Sequence, residues 1–485
     1  MVLGRWCIFV VVCLPTAMAW PQWQDDVGFT DLMIELGAAL PTGAGIDVSM
    51  AEAPSGNSYL PNVASGNYSG TMFTDTTGTN VGVSNHADGV AATFFGDTTS
   101  IAPDVPNVSG FDANDWIDQL GAVTLSTGTE PADHSSFRVQ NHSWISTGND
   151  PAAVANLSQR IDHLVNRDEV LIIGGSSNGV GGIPDLLANS YNSILVGRSD
   201  GNHGHGTTSV YGAGRQRPDI VAPAVITSTS TPMVSSAAAL LHEFAAGTAN
   251  VNDATTVVMR AALMAGATKQ GEEFGDWDRT FTRPIDDRYG AGELNVYNSY
   301  HVLAGGEFNG SIVAPTTPVG LFGFDHANPL SMASSLRYQF EVPEGYVMDE
   351  LSIFLQWNID VQDSLVGPIL DPTGDLFSPT VDLSPGGDLA DFALTFRDSD
   401  GFVVDASDSP IDNFEHIYLT DLAAGLYELE VSGDRGDEFG LAWRSSVTAV
   451  PEAGSVVVLM SILAILGGRR SRQRDPFKNT LIATV

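Results

Sequence analysis

Three short segments carry side chains that could cooperate in nucleophilic catalysis. Thr227-Ser228-Thr229-Ser230-Thr231-Pro232 runs straight into the small-residue stretch from Met233 to Leu241, which puts Ser228 at the mouth of a helix. A helix N-terminus offers unpaired N–H groups and the positive end of the helix dipole, and both suit a developing oxyanion. The segment His86-Ala-Asp-Gly-Val-Ala-Ala-Thr-Phe-Phe-Gly96 opens a second small-residue helix with an imidazole, the group best placed to take a hydroxyl proton near neutral pH. Upstream, Gly43-Ala-Gly-Ile-Asp-Val-Ser-Met-Ala-Glu52 enters a buried strand and ends it on a carboxylate. Ile46, Val48 and Met50 share the parity of Glu52, so this acid emerges at the strand's carboxyl end. Singly, each residue would pass for a helix cap or a satisfied surface group. Together they supply a nucleophile, a base and an orienting acid for acyl transfer.

The elements that must hold these residues follow from the apolar pattern. Val48–Ala51, Arg138–Ile145, Val170–Ile173 and Ile194–Val196 read as buried strands bounded by Gly, Ser and Asn. Helical patterns lie between them, over Ala113–Leu120, Ala152–Val165, Met233–Ala246 and Thr255–Ala267. Such alternation predicts an α/β domain on a mostly parallel sheet flanked by helices, with its working residues at the strands' carboxyl ends. Residues 305–334 are rich in Gly, Pro and Thr and read as a linker. From 335 to 447 the pattern has period two, as in Tyr338–Val342, Leu351–Trp357, Phe392–Phe396, His416–Leu419 and Tyr427–Val431, which predicts an all-β antiparallel sandwich.

The candidate residues are similar to the motifs of the subtilisin-like serine peptidases. His86 to Gly96 resembles the family's histidine motif without gaps, and Ile226 to Val234 its nucleophile motif. Val139-Gln-Asn-His-Ser-Trp144, Arg217-Pro-Asp-Ile-Val-Ala-Pro223, Val258-Met-Arg-Ala-Ala-Leu-Met264 and Tyr289-Gly-Ala-Gly-Glu-Leu-Asn295 resemble further landmarks in the same order. The resemblance implies a peptidase domain over 20–304 that hydrolyses polypeptides, with Ser228 as nucleophile, His86 as base and Glu52 where the family has an aspartate. For the oxyanion hole it implies the turn after Val170-Leu-Ile-Ile; gap-free alignment gives Ser177, residue type gives Asn178. Ile226 stands where the family has glycine. The alternative implied function is a catalytically inactive surface protein on the same scaffold, used for binding or matrix assembly. The domain over 335–447 resembles the C-terminal β-domains that follow secreted bacterial peptidases.

Composition and the two ends complete the reading. Twenty-one Lys and Arg stand against 58 Asp and Glu, a formal net charge of −37, which repels a phosphate backbone and argues against nucleic acid as a partner. The only cysteines, Cys7 and Cys13, fall within residues 1–19, which read as a secretory signal cleaved after Ala17-Met18-Ala19. At the other end, 448–485 contains Pro451-Glu452-Ala453, an apolar run over 455–467 and then Arg469, Arg470, Arg472 and Arg474. This arrangement resembles the PEP-CTERM sorting tail of Gram-negative bacteria. It implies export to the cell surface, outer envelope or matrix, exosortase-type sorting machinery as a partner, and at least transient anchoring in the membrane through residues 455–467. The chemistry requires no cofactor and no metal site is assigned. Calcium enters only as a structural ion that the acidic turns Asp398-Ser-Asp400 and Asp434–Asp437 could hold.

Overall fold

The computed structural model describes residues 22–120, 135–148, 150–329, 334–361, 363–365, 377–379 and 389–450. The expected signal and nearly all of the expected sorting tail, including its apolar run, lie outside these residues. Among the described residues, no helix is long and apolar enough to cross a membrane.

The first part of the chain supplies helices α1 (Gln22–Asp26), α2 (Phe29–Leu36), α3 (Asn85–Phe95), α4 (Ala113–Gln119), α5 (Pro151–Asp168), α6 (Thr227–Ala246), α7 (Thr256–Gly266) and α8 (Val296–Ala304). Its strands are β1 (Val48–Glu52), β2 (Met72–Asp75), β3 (Asn107–Asp112), β4 (Val139–His142), β5 (Leu171–Gly175), β6 (Ile194–Arg198), the short pair β7 (Gly206–Thr207) and β8 (Gln216–Arg217), and β9 (Ile220–Ala222). Seven of them form one sheet in the order β2-β3-β1-β4-β5-β6-β9, with every neighbouring pair parallel. Both faces are covered. Val48 and Met50 join one core with residues of α3, α6, α7 and α8, whereas Ala51 and Phe111 join another with residues of α4 and α5. This is the α/β architecture that the alternating pattern predicts.

Two boundaries differ from the sequence expectation. α6 begins at Thr227 rather than Met233, so Ser228 lies within its first turn. The Ser and Thr residues there would be poor helix formers in isolation, but Thr227, Ser230 and Thr231 are buried against the core and tertiary burial overrides propensity. The second difference concerns residues 305–334. Phe322–Ala327 is a strand, β10, and pairs antiparallel with β19 (Phe439–Ala449), so a linker over the whole stretch is corrected. Gly and Pro mask this strand's alternation by crowding the residues before it.

The remaining strands are β11 (Leu336–Val342), β12 (Tyr346–Trp357), β13 (Asp363–Leu365), β14 (Phe377–Pro379), β15 (Phe392–Asp398), β16 (Val403–Ser407), β17 (Phe414–Leu422) and β18 (Gly425–Gly433). Two four-stranded antiparallel sheets, β10-β19-β12-β17 and β11-β18-β15-β16, close over a core that contains Trp357, Trp443, Phe392 and Phe396. The outer face of the first sheet is not solvent-exposed. Phe324, Phe354, Phe414 and Ala442 belong to the same core cluster as α7. At Gly440 a Cβ would stand 2.6 Å from the Val257 backbone, which is why α7 and β19 can lie so close. Arg444 reaches across this seam, donating to the carbonyls of Ala265 and Ala267 at 2.8 and 3.0 Å and to Glu350 at 2.6 Å.

Candidate active site

β1 delivers Glu52 to the sheet's carboxyl edge on the face covered by α3, as its parity with Met50 requires. The carboxylate is completely buried, and its Oε2 lies 2.6 Å from Nδ1 of His86. Ser84 fixes the start of α3 by accepting a hydrogen bond from the Ala87 N–H, which leaves His86 in the first turn, directly over Glu52. The two groups shape each other electrostatically. Burial raises the Glu52 carboxyl, and the hydrogen bond from His86 draws it back toward the charged form. Glu52 in turn raises His86 above the ordinary histidine value, with burial opposing. The imidazole keeps 46% of its side-chain surface open, so its other nitrogen is reachable.

Ser228 sits in the first turn of α6. The cap residue Ile226 has extended backbone at φ −143°, so this turn needs no glycine, and its side chain stands open at 40% exposure rather than closing over the serine. Pro232, four residues on, has no N–H to donate to the Ser228 carbonyl in the helix ladder. Asn178 supplies what the cap lacks: its Oδ1 accepts from the Thr227 N–H at 2.9 Å and the Thr227 hydroxyl at 3.2 Å. This fixes the amide with its Nδ2 donors unspent at the mouth of α6. Among the described residues, neither those donors nor the Ser228 N–H has a hydrogen-bond partner, which leaves two donors beside one hydroxyl. Ser177 does not share this place. Its hydroxyl donates to the Gly182 carbonyl at 3.2 Å. Of the two residues the sequence left open, Asn178 is the one bonded to the first turn of α6, which carries Ser228.

Supporting contacts tie the site to the sheet. Asn141, fully buried on β4, accepts from the Ser235 hydroxyl of α6 at 2.9 Å and donates to Ser143 at 3.1 Å. Gly175, at the end of β5, has room for no side chain, because a Cβ would stand 2.7 Å from Thr231 of α6. Among the described residues, no hydrogen bond joins the Ser228 hydroxyl to His86. Such bonds are often long in unliganded enzymes and tighten around substrate. Thr227 and Ser84 were not anticipated from sequence, where a capping Ser or Thr looks like any other.

Beside the Glu52 end, a cavity of about 370 Å³ has a mixed lining, with Pro54, Ile117 and Trp144 beside Asn114, Asp118 and Ser146. No metal-holding group of three or more His, Cys, Asp or Glu occurs among the described residues. Asp398 is spent within its own turn, accepting from the N–H groups of Asp400 and Phe402. His203 is buried, accepting from the Arg198 N–H through Nδ1 and facing the Arg288 carbonyl through Nε2, which makes it a loop anchor.

No family model matches the chain. A curated relative, Subtilisin Savinase of Lederbergia lenta, is 32% identical over 139 residues, which cover 25% of this chain and 49% of the relative. Over that stretch the chain is homologous to a subtilisin. The match therefore spans about half the length of the relative. The α/β domain has the subtilisin-like fold, with the sandwich following it. Solved structures that align with it include the patellamide maturation protease PatA, at 18% identity and TM-score 0.35 over 54% of this chain and 98% of that one. The PatG macrocyclase domain aligns at 14% identity and TM-score 0.39 over 58% and 98%. A cold-adapted subtilisin-like serine proteinase aligns at 15% identity and TM-score 0.34 over 53% and 90%.

Proposed function

We propose that this protein is an exported serine endopeptidase of the subtilisin-like type, with a glutamate in the acid position of its triad. The observation that carries the reading is the 2.6 Å contact between buried Glu52 and His86, formed on the same sheet edge where Asn178 holds the N-terminus of α6. In the proposed mechanism His86 takes the Ser228 proton as the hydroxyl attacks a peptide carbonyl, and then returns it to the leaving amine. Glu52 holds the imidazole in the tautomer with its proton on Nδ1 and stabilises the cation formed during the step. The Asn178 amide and the Ser228 N–H receive the negative oxygen of the tetrahedral intermediate. Calcium is proposed only as a structural ion. Export through the 1–19 signal, and sorting by exosortase-type machinery with a membrane stage through 455–467, belong to the same proposal. They rest on the resemblance of the two ends.

A fluorophosphonate probe tests the chemistry: covalent labelling that is lost in Ser228→Ala, together with loss of peptide hydrolysis, is the expected result. No labelling of folded protein, or proteolysis unchanged in Ser228→Ala, would leave the non-catalytic binding protein as the better reading. Mass spectrometry of the mature termini after expression in a Gram-negative host tests the export arm, with a first residue of Trp20 expected.

A further inference from the structure

Whereas the cavity beside Glu52 lies at the ends of β3, β1 and β4, the sheet edge that carries Glu52 has a second opening, at the β6–β9 end of the sheet. Its walls are the carboxyl ends of β6 and β9 and the N-terminal helix α1. It is an open cleft of about 650 Å³, lined by Trp23, Asp26, Ser199, Asp200, Pro223, Ala224, Val225, Glu273 and Glu293 among others. Val225, 80% exposed, belongs to the cleft wall and lies three residues before Ser228, so at most roughly 11 Å of chain separates them.

Four carboxylates face this space from four different segments, and three of them have no ion-pair partner among the described residues. Asp200 pairs with Arg198, whose other donors go to the carbonyls of Ala224 and Asn202. Arg288 donates to the Gly201 carbonyl. Asp26, Glu273 and Glu293 form no ion pair among the described residues. Burial first, and then the charges of Asp26 and Glu273, push the Glu293 carboxyl up to about 7; Asp26 is raised for similar reasons. Ser199 adds a second kind of unmet demand. It is 7% exposed and its hydroxyl, though near enough to Glu293 to ease that carboxyl, completes no hydrogen bond of good geometry.

These carboxylates do not converge as metal ligands do, since no group of three among the described residues could hold an ion. Spread around a wide cleft, with the indole of Trp23 and the apolar Pro223–Val225 wall beside them, they suit a longer cation. We propose that this cleft binds a lysine or arginine side chain of the polypeptide substrate, on the side of the scissile bond opposite the cavity beside Glu52. The inference rests on Ser228 being the nucleophile, and it names the substrate class: chains with a basic residue on one side of the cut.

Binding separates this proposal from the catalytic one. Ser228→Ala protein is titrated by fluorescence anisotropy with a set of labelled ten-residue peptides carrying one lysine at successive positions, each matched by a norleucine peptide. At one position, about tenfold tighter binding of the lysine peptide is expected, weakening with added salt. Glu273→Gln, an exposed position whose change leaves the core intact, should reduce that preference, and Glu293→Gln should reduce it further. Equal binding of lysine and norleucine peptides at every position overturns the cleft assignment, as does a preference that Glu273→Gln and Asp26→Asn leave untouched. If instead Ser228→Ala does not affect hydrolysis, the catalytic reading fails while the binding result still decides the cleft.

Discussion

Two regions of this molecule handle polar groups in opposite ways. At the seam between α7 and the sandwich, side-chain donors that cross the boundary are spent. Arg444 satisfies Ala265, Ala267 and Glu350; Arg260 reaches Asn358 at 2.7 Å and the Tyr191 carbonyl at 2.8 Å; Asn413 donates to that same carbonyl at 3.0 Å. At the candidate site's edge polar groups are left over: the Ser228 N–H, the Asn178 amide and one nitrogen of His86, and, in the cleft, the carboxylates of Asp26, Glu273 and Glu293, which have no ion pair among the described residues. A buried polar group without a partner is costly, so leaving several open on one rim marks the place where a ligand completes them. The seam teaches the converse. With a shared apolar core and bonded charges, the sandwich is built into the α/β domain rather than tethered to it.

That contrast can be broken at either end. The largest effect is expected from Ser228→Ala, a fall in peptide hydrolysis of roughly 10⁴-fold or more with an unchanged circular dichroism spectrum. Glu52→Gln should come next. It removes the carboxylate that raises His86, so kcat/KM should fall and its ascending pH limb should move down. The sign follows because a base works only when neutral, and a lowered folded-state value is left behind at lower pH. A limb that stays in place in Glu52→Gln would show that Glu52 does not govern His86. Arg444→Met tests the seam. It leaves Glu350 buried without its cation, which should cost about 3–5 kcal/mol of stability in urea unfolding, while activity per folded molecule is retained. If activity falls as steeply as stability, the two regions are not separable. Asn178→Ala should lower kcat by roughly 10²–10³ with little change in KM. The smallest effect belongs to Ile226→Gly. With extended backbone and an open side chain there, activity should change by no more than a few-fold.

The parity of Ile46, Val48 and Met50 was enough to place Glu52 at the carboxyl end of a strand, on the face of Met50, because a strand has a period of two; that α3 covers this face is decided by packing. The small-residue runs after His86 and Ser228 were likewise legible as helices that pack closely. The choice between Ser177 and Asn178 was not legible. Both occupy one glycine-rich turn, and which side chain meets Thr227 depends on how that turn bends against β6 and the loop at Gly182 and His203. β10 was hidden for a related reason: an edge strand made of Phe, Gly, Phe, Asp, His and Ala shows weak alternation until β19 pairs with it.

The sequence by itself therefore determined the local frame: which strands are buried, which small-residue helices begin near Ser228 and His86, and how strongly acidic the chain is. Periodicity and capping act within a few residues and are written along the chain. Only the tertiary structure decided which groups meet, because Glu52 and His86 are 34 residues apart and Thr227 lies 49 from Asn178. It also decided which acids remain unanswered. Excess carboxylates are evident from composition, but their gathering around one cleft beside Ser228 arises from four segments that meet only when the sheet, α1 and the turn before α6 are packed together.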